Sequence, residues 1–181
     1  MLPVAEILPQ LLTLLQQHNK VILSAPPGAG KSTYLPLHLL QDAAFAGKKL
    51  LMLEPRRLAA KSIAGYLSTQ LGERVGETVG YQIRQEKRSS SQTRLLIVTE
   101  GVLTRKLQQD PELSDIDLIL FDEFHERSLH ADLALALCLE VQQLRDDLQL
   151  LIMSATLDMA LLADKLNAPV LESAGRSYPV E

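Results

Sequence analysis

Nine residues near the amino terminus, Ala25–Thr33 (APPGAGKST), have the composition of a loop that binds phosphate groups. They follow Lys20–Ser24, a short apolar and β-branched run that predicts a buried strand, and helical apolar spacing resumes at Tyr34. In a strand–loop–helix arrangement, loop glycines let backbone N–H groups turn toward an anion, and the positive end of the helix faces that anion. The spacing therefore predicts a site for the phosphates of a nucleotide.

The residues of this loop have separable predicted roles. Lys31 can bridge the outer phosphates, and the Ser32 hydroxyl can coordinate Mg²⁺. The residues predicted to contact the nucleotide here are Pro27, Gly28, Ala29, Gly30, Lys31, Ser32 and Thr33. Ala25 stands where the strict pattern has Gly, which is tolerable if its φ is negative. The alternative interpretation is a Gly-Lys-Ser turn that starts a helix and binds nothing.

Two acidic residues follow a second apolar run. Ile116–Phe121 predicts a buried strand, and Asp122 and Glu123 stand side by side at its carboxyl end, where parallel sheets place their ligands. Asp122 would hold Mg²⁺, and Glu123 would orient and deprotonate an attacking water, so Lys31, Asp122 and Glu123 form the candidate catalytic set. Alternatively, the two acids cap the helix that follows, since acids favour helix amino termini.

Asp122–His125 (DEFH) resembles the DEAH box, with Phe124 in the position of Ala, and the residues ERS at 126–128 extend the match. The wider strings are LEPRRLAA (53–60), VGYQIR (79–84), VTEGVLTR (98–105), FDEFHERS (121–128) and LIMSATLD (151–158). They resemble the DEAH/RHA helicases, and most of all the bacterial HrpB-type ATP-dependent RNA helicases. The resemblance covers nearly the whole chain. It implies a RecA-like, P-loop first lobe of a superfamily-2 helicase with ATP and Mg²⁺ as cofactors.

The same resemblance implies a path for nucleic acid, with single-stranded RNA as the expected partner. Arg56 would grip the sugar–phosphate backbone, while Arg57 braces the local fold; a solvated pair of arginines is the alternative. Thr99, Glu100 and Gly101 lie between a strand and a helix, where a hydroxyl and helix-start N–H groups can take a phosphate. Arg84 and Arg105 would extend this path. Contacts of this kind address the backbone and carry little sequence preference.

Three further residues are predicted to couple the nucleotide to movement between lobes. In the family that the chain resembles, Ser154 and Thr156 hydrogen-bond near the DEAH-like box, and His125 is a partner that can donate and accept. The Ser and Thr hydroxyls could equally cap a helix that begins near Leu157. Tyr66 is predicted either to stack on the adenine base or to pack against the fold half-buried.

Length and composition indicate a single domain, residues 1–181, in which 46% of the residues are hydrophobic. The formal net charge of −4 excludes binding of nucleic acid through an overall basic field, so any strand contact must be local. The single Cys138 indicates a reducing compartment, and no stretch predicts a membrane span. We therefore expect a cytoplasmic protein with no membrane partner.

Alternating strands and helices predict an α/β fold with a mostly parallel, twisted, doubly wound sheet and helices on both faces. The predicted helices are 4–17, 34–40, 58–71, 101–109 and 129–144, the third with Leu58 on its apolar face. The predicted strands are 20–24, 49–53, 78–83, 94–98, 116–121 and 148–153. The segment between the third and fourth strands reads as a charged, serine-rich loop.

The function indicated is the ATP-binding first lobe of a helicase motor. We expect the chain to be part of a longer protein whose second RecA-like lobe supplies an arginine finger, and the isolated lobe to turn over slowly. Two alternatives remain at this point: another P-loop nucleotide-hydrolysing switch or kinase, and a non-catalytic lobe that docks partners. The intact trio of Lys31, Asp122 and Glu123 argues against the second, because docking does not need it.

Overall fold

The structure, a computed structural model, describes residues 3–26, 30–124, 129–155 and 159–173. Its helices are α1 (Pro3–Gln17), α2 (Leu35–Gln41), α3 (Arg57–Gln70), α4 (Glu100–Gln109), α5 (Leu129–Leu144) and α6 (Ala160–Leu166), with a 3₁₀ turn at Ala43–Phe45. Its strands are β1 (Lys20–Ser24), β2 (Leu50–Leu53), β3 (Val79–Ile83), β4 (Glu86–Arg88), β5 (Leu95–Val98), β6 (Leu118–Phe121), β7 (Gln149–Ser154) and β8 (Val170–Glu172). The predicted α/β class with a mostly parallel sheet is confirmed.

The described strands form one sheet in the order β4-β3-β5-β2-β6-β7-β1-β8. Pairing is parallel throughout except between β3 and β4, which form an antiparallel hairpin. Parallel neighbours need crossover connections, and the helices supply them. The strands β6, β7 and β1 are consecutive parallel neighbours. The segment after β1 and the segment after β6 therefore both start at the carboxyl edge of the sheet, two strands apart.

Side chains of the central strands alternate between two apolar layers, as a sheet covered on both faces requires. Leu118 and Leu120 of β6 belong to the core that α1, α2 and α3 cover. Ile119 and Phe121 belong to the other core, which α4, α5 and α6 cover. All four strand residues of β6 are buried. The sheet is therefore a rigid central layer whose carboxyl edge can hold polar groups in fixed positions.

Several sequence predictions need correction. The segment read as a serine-rich loop contains β4, whose charged residues Glu86–Arg88 carry no apolar strand signal. Leu58 does not face the core but is 79% exposed, since the buried face of α3 is formed by Ala60, Ala64 and Leu67. The strand predicted to begin at Ile116 begins at Leu118.

The carboxyl-terminal part also differs from the prediction. The helix expected near Leu157 begins at Ala160 with Met159 at its N-cap, and the Met159 side chain makes no capping hydrogen bond. Ser154 is the last residue of β7, so it does not serve as that cap. The strand β8, which pairs with β1, is absent from the predicted strands. The strand Lys20–Ser24 and the helix Leu129–Leu144 have the predicted bounds.

Among the described helices, none combines the length and the apolar character that crossing a lipid bilayer would require.

Candidate nucleotide and nucleic-acid site

The phosphate-loop segment leaves the sheet from the end of β1. The Ala25 N–H donates to the Ser154 carbonyl at 2.9 Å, which ties the loop entrance to the end of β7. Ala25 has a negative φ, so the methyl group in place of the pattern's Gly is accommodated. Gly30 has a φ of +98°, a conformation that a residue with a Cβ rarely adopts. Pro27, Gly28 and Ala29 lie outside the described residues.

Lys31 is buried, with 7% of its surface exposed. Its Nζ donates to the carbonyl oxygen of Pro26 at 3.2 Å and to that of Ala25. Burial lowers the pKa of this ammonium, while the charges of Asp122 and Glu123 raise it. The lysine and the acidic pair thus interact electrostatically at one edge of the sheet, as the sequence required for a shared nucleotide site.

The residues after Lys31 lie in a turn that leads into α2. The Gly30 carbonyl accepts from the N–H groups of Tyr34 and Leu35, each at 3.0 Å, and this closes the turn before the helix begins. Ser32 is half-buried and Thr33 is exposed. Ser32 and Thr33 thus lie in the turn between Lys31 and α2, and their magnesium and phosphate contacts stay predictions.

The acidic turn is held by backbone hydrogen bonds to the strands on both sides. The Asp122 N–H donates to the Leu53 carbonyl of β2, and the Phe124 N–H donates to the Met153 carbonyl of β7, each at 3.0 Å. Glu123, between them, has a φ of +57°, and its N–H donates to Asp122 Oδ1 at 3.0 Å. A non-glycine residue in this conformation carries a strain of about 1–3 kcal/mol, which the surrounding bonds must sustain.

The chain tolerates the aromatic residue Phe124, where the DEAH box has Ala, because the ring is buried. Its ring is 2% exposed and packs edge-on against Phe121, with ring centroids 6.2 Å apart. Both rings belong to the core beneath α5 and α6. The buried ring anchors one side of the turn. The acids are not the cap of α5, which begins at Leu129, six positions beyond Glu123.

A second buried acid lies beside Asp122, and the sequence predictions did not include it. Glu54 follows β2 directly, as Asp122 follows β6, and the paired ends Leu53 and Phe121 place the two acids side by side. Glu54 is 1% exposed, and its buried Oε2 has no hydrogen-bond partner among the residues that the structure describes. Burial, then the hydrogen bond with Asp122 and the charge of that residue, raise the pKa of Glu54 to about 10. Glu54 is therefore a neutral acid at pH 7.

The donor set fits the magnesium ion that the family implies. Mg²⁺ is usually held by one or two protein oxygens, with waters and substrate phosphates completing its coordination. Asp122 supplies a nearly buried carboxylate, and the half-buried Ser32 supplies a hydroxyl. Within the described ranges no cluster of three or more His, Cys, Asp or Glu side chains could hold a metal on its own.

Arg56 reaches from the end of β2 to the acidic turn. It occupies the N-cap position of α3, and its Nη2 lies 3.4 Å from Glu123 Oε2. The Arg56 side chain is 62% exposed and that of Glu123 27%. The residue expected to grip nucleic acid thus forms an ion pair with the residue expected to activate water. No sequence pattern indicated this contact, because the two residues are 67 positions apart.

The other predicted nucleic-acid residues lie farther along the same edge. Arg84 follows β3 and is exposed, and it precedes Gln85, whose φ of +69° turns the chain into β4. Thr99 follows β5 and occupies the N-cap of α4 without a capping hydrogen bond from its side chain. Since β3, β5 and β2 are consecutive neighbours, Arg84, Thr99 and Arg56 follow one another along this part of the edge.

Glu100, Gly101 and Arg105 belong to α4. Burial raises the pKa of Glu100, while the charge of His130 lowers it. Gly101 is exposed, and a Cβ built there would meet nothing within 4 Å. Arg105 is exposed on the second turn. Gly101 therefore leaves open space on the first turn of α4, and the nucleic-acid contacts of Glu100, Gly101 and Arg105 stay predictions.

The residues predicted to couple lobes are only partly described. Ser154 is completely buried at the end of β7, between the ends of β6 and β1. His125 and Thr156 lie outside the described residues. Tyr66 is 49% exposed on α3 and, in the described structure, is not among the side chains packed against the core. Base stacking and half-buried packing both stay predictions for Tyr66.

Comparison with known proteins agrees with the geometry. Residues 5–163 match the family model described as DEAD/DEAH box helicase. The chain is 60% identical to the ATP-dependent RNA helicase HrpB of Escherichia coli (strain K12), over 99% of this chain and 22% of that protein. It is 40% identical to the ATP-dependent RNA helicase DHX29 of Mus musculus, over 99% of this chain and 14% of that protein.

A solved structure leads to the same conclusion. The crystal structure of Escherichia coli DEAH/RHA helicase HrpB superposes with a TM-score of 0.94 and 59% identity, covering all of this chain and 23% of that chain. Fold and site together define a RecA-like helicase domain. The chain belongs to the DEAD/DEAH box helicase family, and it spans less than a quarter of the length of these relatives.

Proposed function

We propose that residues 1–181 form the ATP-binding first lobe of an ATP-dependent RNA helicase, which uses Mg-ATP hydrolysis to move along or unwind RNA. The observation that carries the proposal is the position of Lys31 at the carboxyl edge of the sheet, where burial lowers its pKa and the charges of Asp122 and Glu123 raise it. The names of the relatives, which are ATP-dependent RNA helicases, support RNA as the nucleic acid. Cytoplasmic location and a second RecA-like lobe are part of the same proposal.

Each site residue has a role that follows from its position. Lys31 exchanges the carbonyl oxygens of Ala25 and Pro26 for the outer phosphates of the nucleotide, because a buried ammonium gains most from a full negative charge. Asp122 and Ser32 hold Mg²⁺, which when bound offsets charge on the phosphates. Glu123 orients a water and accepts its proton.

Nucleotide binding by the described domain can be tested directly. The midpoint of thermal unfolding of the chain should rise with ATP analogue plus Mg²⁺, and rise less when a chelator replaces the metal, since ligands that bind only the folded state stabilise it. Lys31→Ala should remove this rise. Lys165→Ala, an exposed lysine on α6, is the matched control and should keep it. A rise that survives Lys31→Ala would contradict the assigned site.

Hydrolysis requires the full-length protein. ATP turnover there should increase with single-stranded RNA, and Glu123→Gln should reduce it by at least about a hundredfold, the usual effect of removing a general base. Glu172→Gln changes an exposed acid at the end of β8 and serves as its control. Turnover that responds to a metabolite but not to RNA or single-stranded DNA would indicate a kinase or switch instead.

A further inference from the structure

The Arg56–Glu123 ion pair joins two halves of the sheet edge that have different predicted partners. The proposed nucleotide site follows β1 and β6, whereas the proposed strand path follows β2, β5 and β3. The border lies between β2 and β6, which are paired through Leu53 and Phe121. Arg56 and Glu123 meet across this border at 3.4 Å. Their ion pair directly connects the proposed nucleotide site with the proposed strand path.

The ion pair competes with the functions proposed for its two members, strand binding by Arg56 and activation of water by Glu123. A guanidinium binds carboxylates and phosphates with the same donor atoms, so a strand phosphate and the Glu123 carboxylate compete for Arg56. A carboxylate oxygen that accepts from a guanidinium has fewer lone pairs left to accept from a water. While paired with Arg56, Glu123 is therefore less able to activate water.

We propose that Arg56 restrains Glu123 when no nucleic acid is bound and releases it by transferring to a backbone phosphate of the strand. The contact would then make hydrolysis depend on strand binding. This inference rests on the proposed function, since it assigns a regulatory step to the same site. Because Arg56 is 62% exposed, the strand can reach the guanidinium without unfolding any part of the described domain.

The exposure of the pair also sets the size of the effect. Exposed ion pairs contribute little and are screened by salt, so the competition corresponds to a change of at most about fivefold in an equilibrium constant. Coupling between two ligands of one group is reciprocal: if the strand releases Glu123, then removal of the Glu123 charge must strengthen strand binding. This second consequence needs no ATP hydrolysis and can be measured separately.

The binding test uses full-length protein and fluorescein-labelled single-stranded RNA without nucleotide. Glu123→Gln should tighten binding by about two- to fivefold. In an Arg56→Ala background, which itself weakens binding, the same change should have no effect. Glu172→Gln, at the same sheet edge, controls for the loss of one negative charge. Equal tightening by Glu123→Gln and Glu172→Gln, or tightening that persists in Arg56→Ala, would overturn the proposal.

A turnover test distinguishes failure of this proposal from failure of the proposed helicase function. Arg56→Ala should raise the RNA-free kcat and shrink the stimulation by RNA, while Arg57→Ala, the neighbouring exposed arginine, changes neither. A fall in the RNA-free kcat of Arg56→Ala would mean that Arg56 supports Glu123, and would overturn the inference. If wild-type protein shows no RNA-dependent turnover at all, the proposed function fails, whereas the nucleotide-free binding cycle still decides whether Arg56 and Glu123 compete.

Discussion

Substitution of Glu54 by Gln is expected to stabilise the domain. The structure places this acid against Asp122 with 1% of its surface exposed, and burial first, then Asp122, raise its pKa from 4.5 to about 10. Folding therefore requires Glu54 to keep a proton that the unfolded chain releases above pH 4.5. Gln has nearly the same shape and can also donate to Asp122, but it has no proton to retain.

The magnitude follows from the linkage of protonation to folding. Because the folded-state pKa is raised, the contribution of Glu54 to stability is fully present below pH 4.5 and is lost progressively as the pH rises toward 10. At about pH 7.5, about three pH units above the unfolded value, the cost approaches 4 kcal/mol at about 1.4 kcal/mol per unit. Because the charge of Asp122 also acts on the pKa of Glu54, we expect Glu54→Gln to recover roughly 2–4 kcal/mol there.

Urea unfolding of the chain at about pH 7.5 and pH 5 measures this difference. Glu54→Gln should raise the free energy of unfolding at the higher pH and lose most of that advantage at the lower one. Glu140→Gln, an exposed acid on α5, should change little at either pH. A Glu54→Gln variant that is less stable than wild type at pH 7.5, or shows the same difference at both pH values, would refute the reasoning.

Further predictions concern the surroundings of the site. Gly80→Ala should destabilise the fold by about 1–3 kcal/mol in urea unfolding, since a Cβ there would collide with the Arg88 carbonyl oxygen. Gly65→Ala on α3, with nothing near its Cβ, should instead stabilise by up to about 1 kcal/mol; equal effects would contradict the packing described. Cys138, with a pKa raised by burial to about 12, should react with a thiol reagent only on unfolding, and rapid labelling of the native chain would argue otherwise. Tyr66→Ala should weaken ATP binding several-fold in the full-length protein, and unchanged affinity in a nucleotide titration would remove the stacking role.

Sequence reasoning was strongest where local chemistry decides the structure. The apolar run of β1 and the long helix α5 have their predicted bounds because periodicity and length specify them. It was weakest where the local structure depends on contacts with another segment of the chain. The charged residues of β4 form a strand only because β3 offers an edge and Gly80 leaves room for the hairpin. Leu58 was assigned to the core by its apolar character alone, although small residues form the face of α3 that packs.

The site shows the same division. Lys31, Asp122 and Glu123 were recognised from spacing, and the sheet brings them to one edge. The neutral state of Glu54 and the Arg56–Glu123 pair depend on β2 lying beside β6, an order that no local pattern states. The sequence did contain one signal for Glu54. Like Asp122, it is an acid that directly follows a fully apolar strand.

The two outermost strands of the sheet affect how readily the domain can aggregate. A long exposed edge strand would offer unpaired N–H and C=O groups to a second molecule. Here the outermost strands, β4 and β8, have only three residues each, and exposed Lys87, Arg88 and Glu172 add charge to them. Within the residues that the structure describes, the outer strands of the eight-stranded sheet therefore offer few unpaired backbone groups to a second copy.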